Sequence, residues 1–131
     1  MVNKLFFLLL PCLALAKIEI NADSMQGDLK TKTFSLKLVT ISNEVWQINA
    51  KQAKSDHEYL YLLGNVKIIN KKHGASYLGE KFRYSYKQHI ITAQSSVTIK
   101  QQAITATTKS LNINLNTNKI KVGKLLLDVK H

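Results

Sequence analysis

From Ile18 to the end of the chain, apolar and polar residues alternate with a period of two, and no proline interrupts them: the single proline is Pro11. Such alternation marks a half-buried strand, because successive side chains of a strand point to opposite faces of its sheet. The runs are Ile18, Ile20 and Ala22; Phe34, Leu36 and Leu38; Leu60, Leu62, Val66 and Ile68; Phe82, Tyr84 and Tyr86; Ile104 and Ala106; Leu111, Ile113 and Leu115; and Ile120 with Val122. No stretch carries a sustained stripe at helical spacing. Short polar segments separate the runs, at Ser42-Asn43, Asn70 to Gly74, Lys87-Gln88-His89, Gln101-Gln102 and Asn116 to Asn118, and hairpins are the simplest connection across them. An all-β chain follows.

With 131 residues and no flexible linker, the chain is expected to form one domain. Ile90 and Thr92 share a parity that Val97 and Ile99 do not, which predicts a bulge or bend around Gln94 to Ser96. Val66-Lys67-Ile68 recurs as Val97-Thr98-Ile99 and, loosely, as Leu127-Asp128-Val129, at spacings of 31 and 30 residues. A repeat of that length suggests stacked hairpin units that bury their apolar faces only against one another, hence an elongated, curled sheet.

The first residues follow a different logic. Lys4 precedes an uncharged segment, residues 5–16, that ends in Ala14-Leu15-Ala16, the layout of a secretory signal with cleavage expected after Ala16. Twelve residues rise only about 18 Å as a helix, short of the roughly 30 Å hydrocarbon core that an anchor must cross. The sole cysteine, Cys12, follows Pro11 rather than the small residue a lipoprotein signal requires. Residues 17–131 would then be cysteine-free, so neither disulfides nor thiolate chemistry enter. The formal net charge of +11 falls only to +10 (11 − 1, for Lys4) on cleavage, so an exported chain of this kind points to anionic envelope partners rather than nucleic acid.

The residues offer no evident carrier for catalysis. His57, His73, His89 and His131 stand apart near turns or a terminus and read as surface histidines, without a second ligand at zinc spacing. Asp56 and Glu58 flank His57 in an expected turn and resemble a solvated loop more than an acid–base pair. Ser95-Ser96 and Ser110 lack the context of a nucleophile elbow, and no glycine-rich phosphate loop occurs. Tyr77, Phe82, Tyr84 and Tyr86, mixed with Lys81, Arg83 and Lys87, have the composition of a stacking platform for single-stranded nucleic acid, but an amphipathic strand with aromatics on one face and cations on the other is the simpler reading.

What remains is a set of long apolar strand faces bordered by lysines. A sheet that curls without closing leaves an apolar interior for hydrocarbon chains, each buried methylene contributing about 0.8 kcal/mol, while lysines at the rim can meet phosphates. Lipid A satisfies both halves of that description. By parity the lining would comprise Leu60, Leu62, Val66, Ile68, Phe82, Tyr84, Tyr86, Val97, Ile99, Ile104 and Ile113. Each of these also has a plainer reading as structural core. An exported basic scaffold that binds acidic glycans is the competing class, distinguished by an interior filled to normal density.

The motifs resemble the OstA-type domain of the lipopolysaccharide-transport proteins LptA and LptC and of the N-terminal part of LptD. The carriers are Ile18-Glu19-Ile20-Asn21-Ala22-Asp23, Leu63-Gly64-Asn65-Val66-Lys67-Ile68, Ile90-Ile91-Thr92-Ala93 with Val97-Thr98-Ile99, and Ile104-Thr105-Ala106. Trp46 to Ala53 and Phe82-Arg83-Tyr84 look more like LptC, whereas the short apolar start favours the soluble LptA type. The resemblance implies an open, slightly twisted β-jellyroll of antiparallel strands, a lipopolysaccharide-binding and non-enzymatic role without cofactor or metal, and partnership with other Lpt proteins or with itself. Terminal strands beginning at Lys17 and ending near Lys130 would supply unpaired edges for that partnership.

Overall fold

The computed structural model describes residues 5–7, 19–28 and 33–129, and the side chains of 21–27 and 33–124. Thirteen strands fall among these residues: β1 (Leu5–Phe7), β2 (Glu19–Ala22), β3 (Ser24–Asp28), β4 (Thr33–Ser42), β5 (Trp46–Ser55), β6 (Tyr59–Asn70), β7 (Ser76–Ser85), β8 (Ile90–Ala93), β9 (Val97–Gln101), β10 (Ile104–Thr108), β11 (Leu111–Asn114), β12 (Ile120–Val122) and β13 (Leu125–Val129). They join in a single sheet whose pairs are all antiparallel.

One transverse crease organises this sheet. It passes through Asp23 between β2 and β3, Leu38 in β4, Lys51 in β5, Gly64-Asn65 in β6, Glu80 in β7, Gln94 to Ser96 between β8 and β9, Ser110 between β10 and β11, and Gly123 between β12 and β13. On one side lie β2, β9, β10, β13 and the adjoining halves of β4 to β7; on the other lie β3, β8, β11, β12 and the remaining halves. The chain is thus a meander of eight long runs, each crossing the crease once. Val66-Lys67-Ile68, Val97-Thr98-Ile99 and Leu127-Asp128-Val129 all fall in the first half-sheet, on alternate runs, which is the structural basis of the repeat.

Local backbone chemistry sets the crease. Gly64 and Asn65 have φ of 81° and 45°, and Leu38 has φ of 51°. At Gly64-Asn65 the left-handed residues shift the ladder register, and at Leu38 the left-handed residue bends the strand with its register kept. Polar groups then stand in for lost ladder bonds: Ser95 Oγ accepts from the amides of Glu80 and Lys81, each at 3.2 Å, and the Asn65 amide donates to Glu80 Oε2 at 2.9 Å. With its side-chain amide oriented to match donors to acceptors, Asn65 also bridges Glu80 Oε1 and Lys51 Nζ, each at 3.1 Å.

The crease also shifts side-chain parity. In β4 the inward residues are Leu36, then Val39 and Ile41, so Leu38 faces out and is 60% exposed. Its place in an unbroken Phe34, Leu36, Leu38 alternation is therefore corrected: the left-handed backbone at Leu38 reverses the parity of β4 while its register with β5 is kept. In β8 the buried residue is Ile91, with Ile90 and Thr92 on the outer face, and the bend expected at Gln94 to Ser96 is present. The inner faces of both half-sheets feed one core that includes Trp46, Ile48, Leu62, Ile68, Phe82, Ile91, Val97 and Ile113. The two layers also meet far from the crease, where Trp46 Nε1 donates to Asn118 Oδ1 at 2.9 Å.

Leu5–Phe7 forms β1 on the free edge of β2, with Leu5 opposite Ala22 and Phe7 opposite Ile20. The Ala14 to Lys17 junction and Lys130 lie outside the described residues.

Candidate functional site

The inner face alternates as the sequence predicts, and the structure gathers nearly all the candidate lining residues into one buried seam. Leu60, Leu62, Val66, Ile68, Phe82, Val97 and Ile113 are almost wholly inaccessible, and Tyr84 and Tyr86 nearly so. A side chain that water cannot touch borders no water-sized void, so these residues are packed against one another between the layers. Ile99 is partly buried against the same core, and Ile104 is 47% exposed. The aromatic strand β7 turns Phe82 and Tyr84 inward, with Tyr86 following, while Lys81 and Lys87 face solvent and Arg83 lies half-buried on the outer side.

Exposed inward-facing apolar residues occur at the margins of the seam. Phe34 (39% exposed) lies at the outer end of β4 beside β3, and its ring covers the place where Gly27 lacks a Cβ. Ile104 and Val122 (37% exposed) lie on β10 and β12 at the opposite margin. Hairpin alternation identifies these as inner-face residues; which of them lie near a margin depends on strand order, so the sequence did not single out Phe34 or Val122.

A second feature is a buried polar cluster at the far end of the second half-sheet. Tyr84 Oη and His89 Nδ1 are 2.8 Å apart, and the rings of Tyr84 and Tyr86 meet edge to face with centroids 5.7 Å apart. His89, with φ of 58°, is buried, contrary to the surface position expected of it, because the tight turn after β7 folds its ring back under the layer. That burial holds its pKa below the ordinary histidine value. Burial likewise pushes the Tyr86 phenol up to about 12, with Asp56 adding to the rise and the hydrogen bond with Ser55 opposing it. His57 and His73 are exposed, as expected, and His131 lies outside the described residues.

Asp56 and Glu58 prove to be turn residues. Asp56 Oδ1 accepts from the amides of Glu58 and Tyr59 at 2.8 and 2.7 Å, and the exposed His57–Glu58 contact is 3.5 Å long. Among the described residues there is no cluster of His, Cys, Asp and Glu able to hold a metal, and no helix long and apolar enough to cross a membrane.

A twice-layered antiparallel meander, with an apolar seam reaching the surface at its margins, defines an open β-jellyroll. The chain matches the family model described as "Lipopolysaccharide-assembly, LptC-related" over residues 36–125, more than half its length, and it belongs to that family. Proteins of this family are transport components, not enzymes, and the chain takes its place in the lipopolysaccharide-transport pathway. Its fold is similar to that of LptH from Pseudomonas aeruginosa, described as the LptA-homologous periplasmic component of the lipopolysaccharide transport device. The TM-score is 0.67 at 12% identity, covering 87% of this chain and 95% of that one. No curated protein matches the chain by sequence.

Proposed function

We propose that this protein is a periplasmic carrier that binds lipopolysaccharide and passes it towards the outer membrane as part of the Lpt bridge. The observation that carries this reading is the continuous apolar seam, whose inner face is exposed at Phe34 on one margin and at Ile104 and Val122 on the other. Acyl chains would enter at these margins and part the two layers. The seam residues Leu60, Leu62, Val66, Ile68, Phe82, Tyr84, Tyr86, Val97, Ile99 and Ile113 would exchange contacts with each other for contacts with lipid, at small net cost because both partners are apolar. The test is photocrosslinking in cells exporting lipopolysaccharide, with probes at Leu62, Ile68, Tyr84, Ile99 and Ile104 compared with the outer-face positions Lys67 and Lys100. Labelling from the inner face alone is expected; equal labelling from both faces, or none from the first set, would sink the proposal.

Partners would add strands to the sheet edges. Cleavage after Ala16 would remove Leu5–Phe7 and free the edge of β2, leaving unpaired backbone groups for a neighbouring Lpt protein or a second copy. The LptC-related family match favours a second arrangement, in which the N-terminal segment is retained and the domain works at the inner membrane. N-terminal sequencing of the protein from cells separates the two: Lys17 as first residue supports the soluble carrier, and Met1 supports the retained form.

A further inference from the structure

The outer faces of the two half-sheets differ in charge. On the second half-sheet a single cross-strand row runs Ser35, Lys54, Tyr61, Arg83, Thr92, Asn112, Lys121, each paired in register with the next. Lys37, Lys81 and Lys119 stand beside this row, making six cations on one face. Two acids lie at the β3 end of the face, Asp23, whose amide donates to the Lys37 carbonyl at 3.0 Å, and Asp28, opposite Thr33; the others are set apart, Asp56 and Glu58 in the turn after β5 and Glu80 engaged by Asn65 in the crease. The first half-sheet presents Thr40, Asn49, Leu78 and Thr98 in the corresponding row, with Lys67 as the cation in the row and Lys100 beside it, two against six.

The face is also shaped and partly apolar. Arg83 lies over the Tyr59 ring, 4.4 Å from its centroid, and the rings of Tyr59 and Tyr61 are 6.0 Å apart. Beyond them a trough of about 500 Å³ runs between Thr92, Asn112, Lys119 and Lys121. At the crease, next to Lys37, Leu38 is 60% exposed and held at φ of 51°, a conformation that disfavours leucine.

We propose that this face rests on an anionic phospholipid surface. The cations are spread from β4 to β12, six strand intervals or about 29 Å at ordinary spacing, which suits an extended array of phosphate headgroups rather than one small anion. Tyrosines between them suit the headgroup level, where an apolar ring and a polar tip are both accommodated, and Leu38 supplies an apolar foot beside the cations. Contact of this kind would lay the seam parallel to the leaflet, with its margins at the flanks of the contact. The proposal is independent of what occupies the seam and needs only that an anionic leaflet be within reach.

The test is flotation of the full-length protein with vesicles of phosphatidylethanolamine and phosphatidylglycerol in a three-to-one ratio, and with vesicles of phosphatidylcholine alone. The phosphatidylcholine series reads any binding through the uncharged residues 5–16, which does not depend on anionic lipid. The variant K54Q/R83Q/K121Q is compared with K67Q/K72Q/K100Q, which loses the same charge from the other half-sheet and its turn. At about a tenfold loss for every one and a half cations removed near an anionic surface, the first variant should bind phosphatidylglycerol vesicles on the order of a hundredfold more weakly, and the second far less so. Added salt should weaken binding of the unaltered protein. Equal losses from both variants, binding that ignores phosphatidylglycerol, or retention by an acidic polysaccharide with no vesicle binding would each overturn the proposal.

Discussion

Trp46 and Asn118, 72 residues apart, are joined by a 2.9 Å hydrogen bond that ties the far end of one half-sheet to a turn of the other. The indole is buried, so its N–H has few other partners. Asn118 also occupies φ of 60°, which glycine tolerates. Asn118→Gly should therefore keep the turn and lose the tie, costing about 1–3 kcal/mol. Chemical denaturation monitored by Trp46 fluorescence measures it, and Asn118→Asp, which keeps the acceptor, should restore most of the loss.

Stability should fall in mild acid on account of His89. Its folded-state pKa is depressed, so the unfolded chain, with a value near 6.5, takes up the proton first as the pH drops. More protons on the unfolded state mean that stability rises with pH, so it is level above about pH 7 and declines below about 6.5 until the lower folded-state value is passed. Denaturation midpoints measured across this range should show the step in the unaltered protein and a smaller one in His89→Asn, which tolerates the same backbone conformation. An identical step in both would assign the titration elsewhere.

The crease should respond to two substitutions in opposite directions. A Cβ at Gly79 would lie 2.9 Å from the buried Phe82 ring and 3.1 Å from the Ser96 carbonyl oxygen, so Gly79→Ala should destabilise by about 1–3 kcal/mol. Leu38 is exposed and left-handed, so Leu38→Asn should stabilise by up to about 1 kcal/mol. Thermal melts of the two variants beside the unaltered protein give the comparison.

Charge placed in the seam should separate packing from access. Ile68 is fully buried at the centre, and Ile68→Asp should abolish cooperative unfolding by stranding a carboxylate among apolar groups. Ile104 is inward-facing but 47% exposed, and Ile104→Asp should fold with a normal melting transition while losing lipopolysaccharide crosslinking at that margin. Normal crosslinking in folded Ile104→Asp would place lipid entry elsewhere.

The sequence by itself determined the secondary structure and the assignment of most side chains to the inner face. Alternation reports only local geometry, and Leu60, Leu62, Val66 and Ile68 keep their parity because two residues of β6, Gly64 and Asn65, stand in the crease opposite the single Glu80 of β7. Leu38 shows where that reading stops: an ordinary leucine gives no local sign of a left-handed backbone, and its position opposite Lys51 is fixed by the bends of neighbouring runs. The tight turn that buries His89 and the registry that aligns Lys54, Arg83 and Lys121 depend on long-range pairing, in which residues far apart in the chain become neighbours. Only the tertiary structure could decide which inward residues are sealed at the centre and which reach the margin, because exposure depends on what the second layer covers.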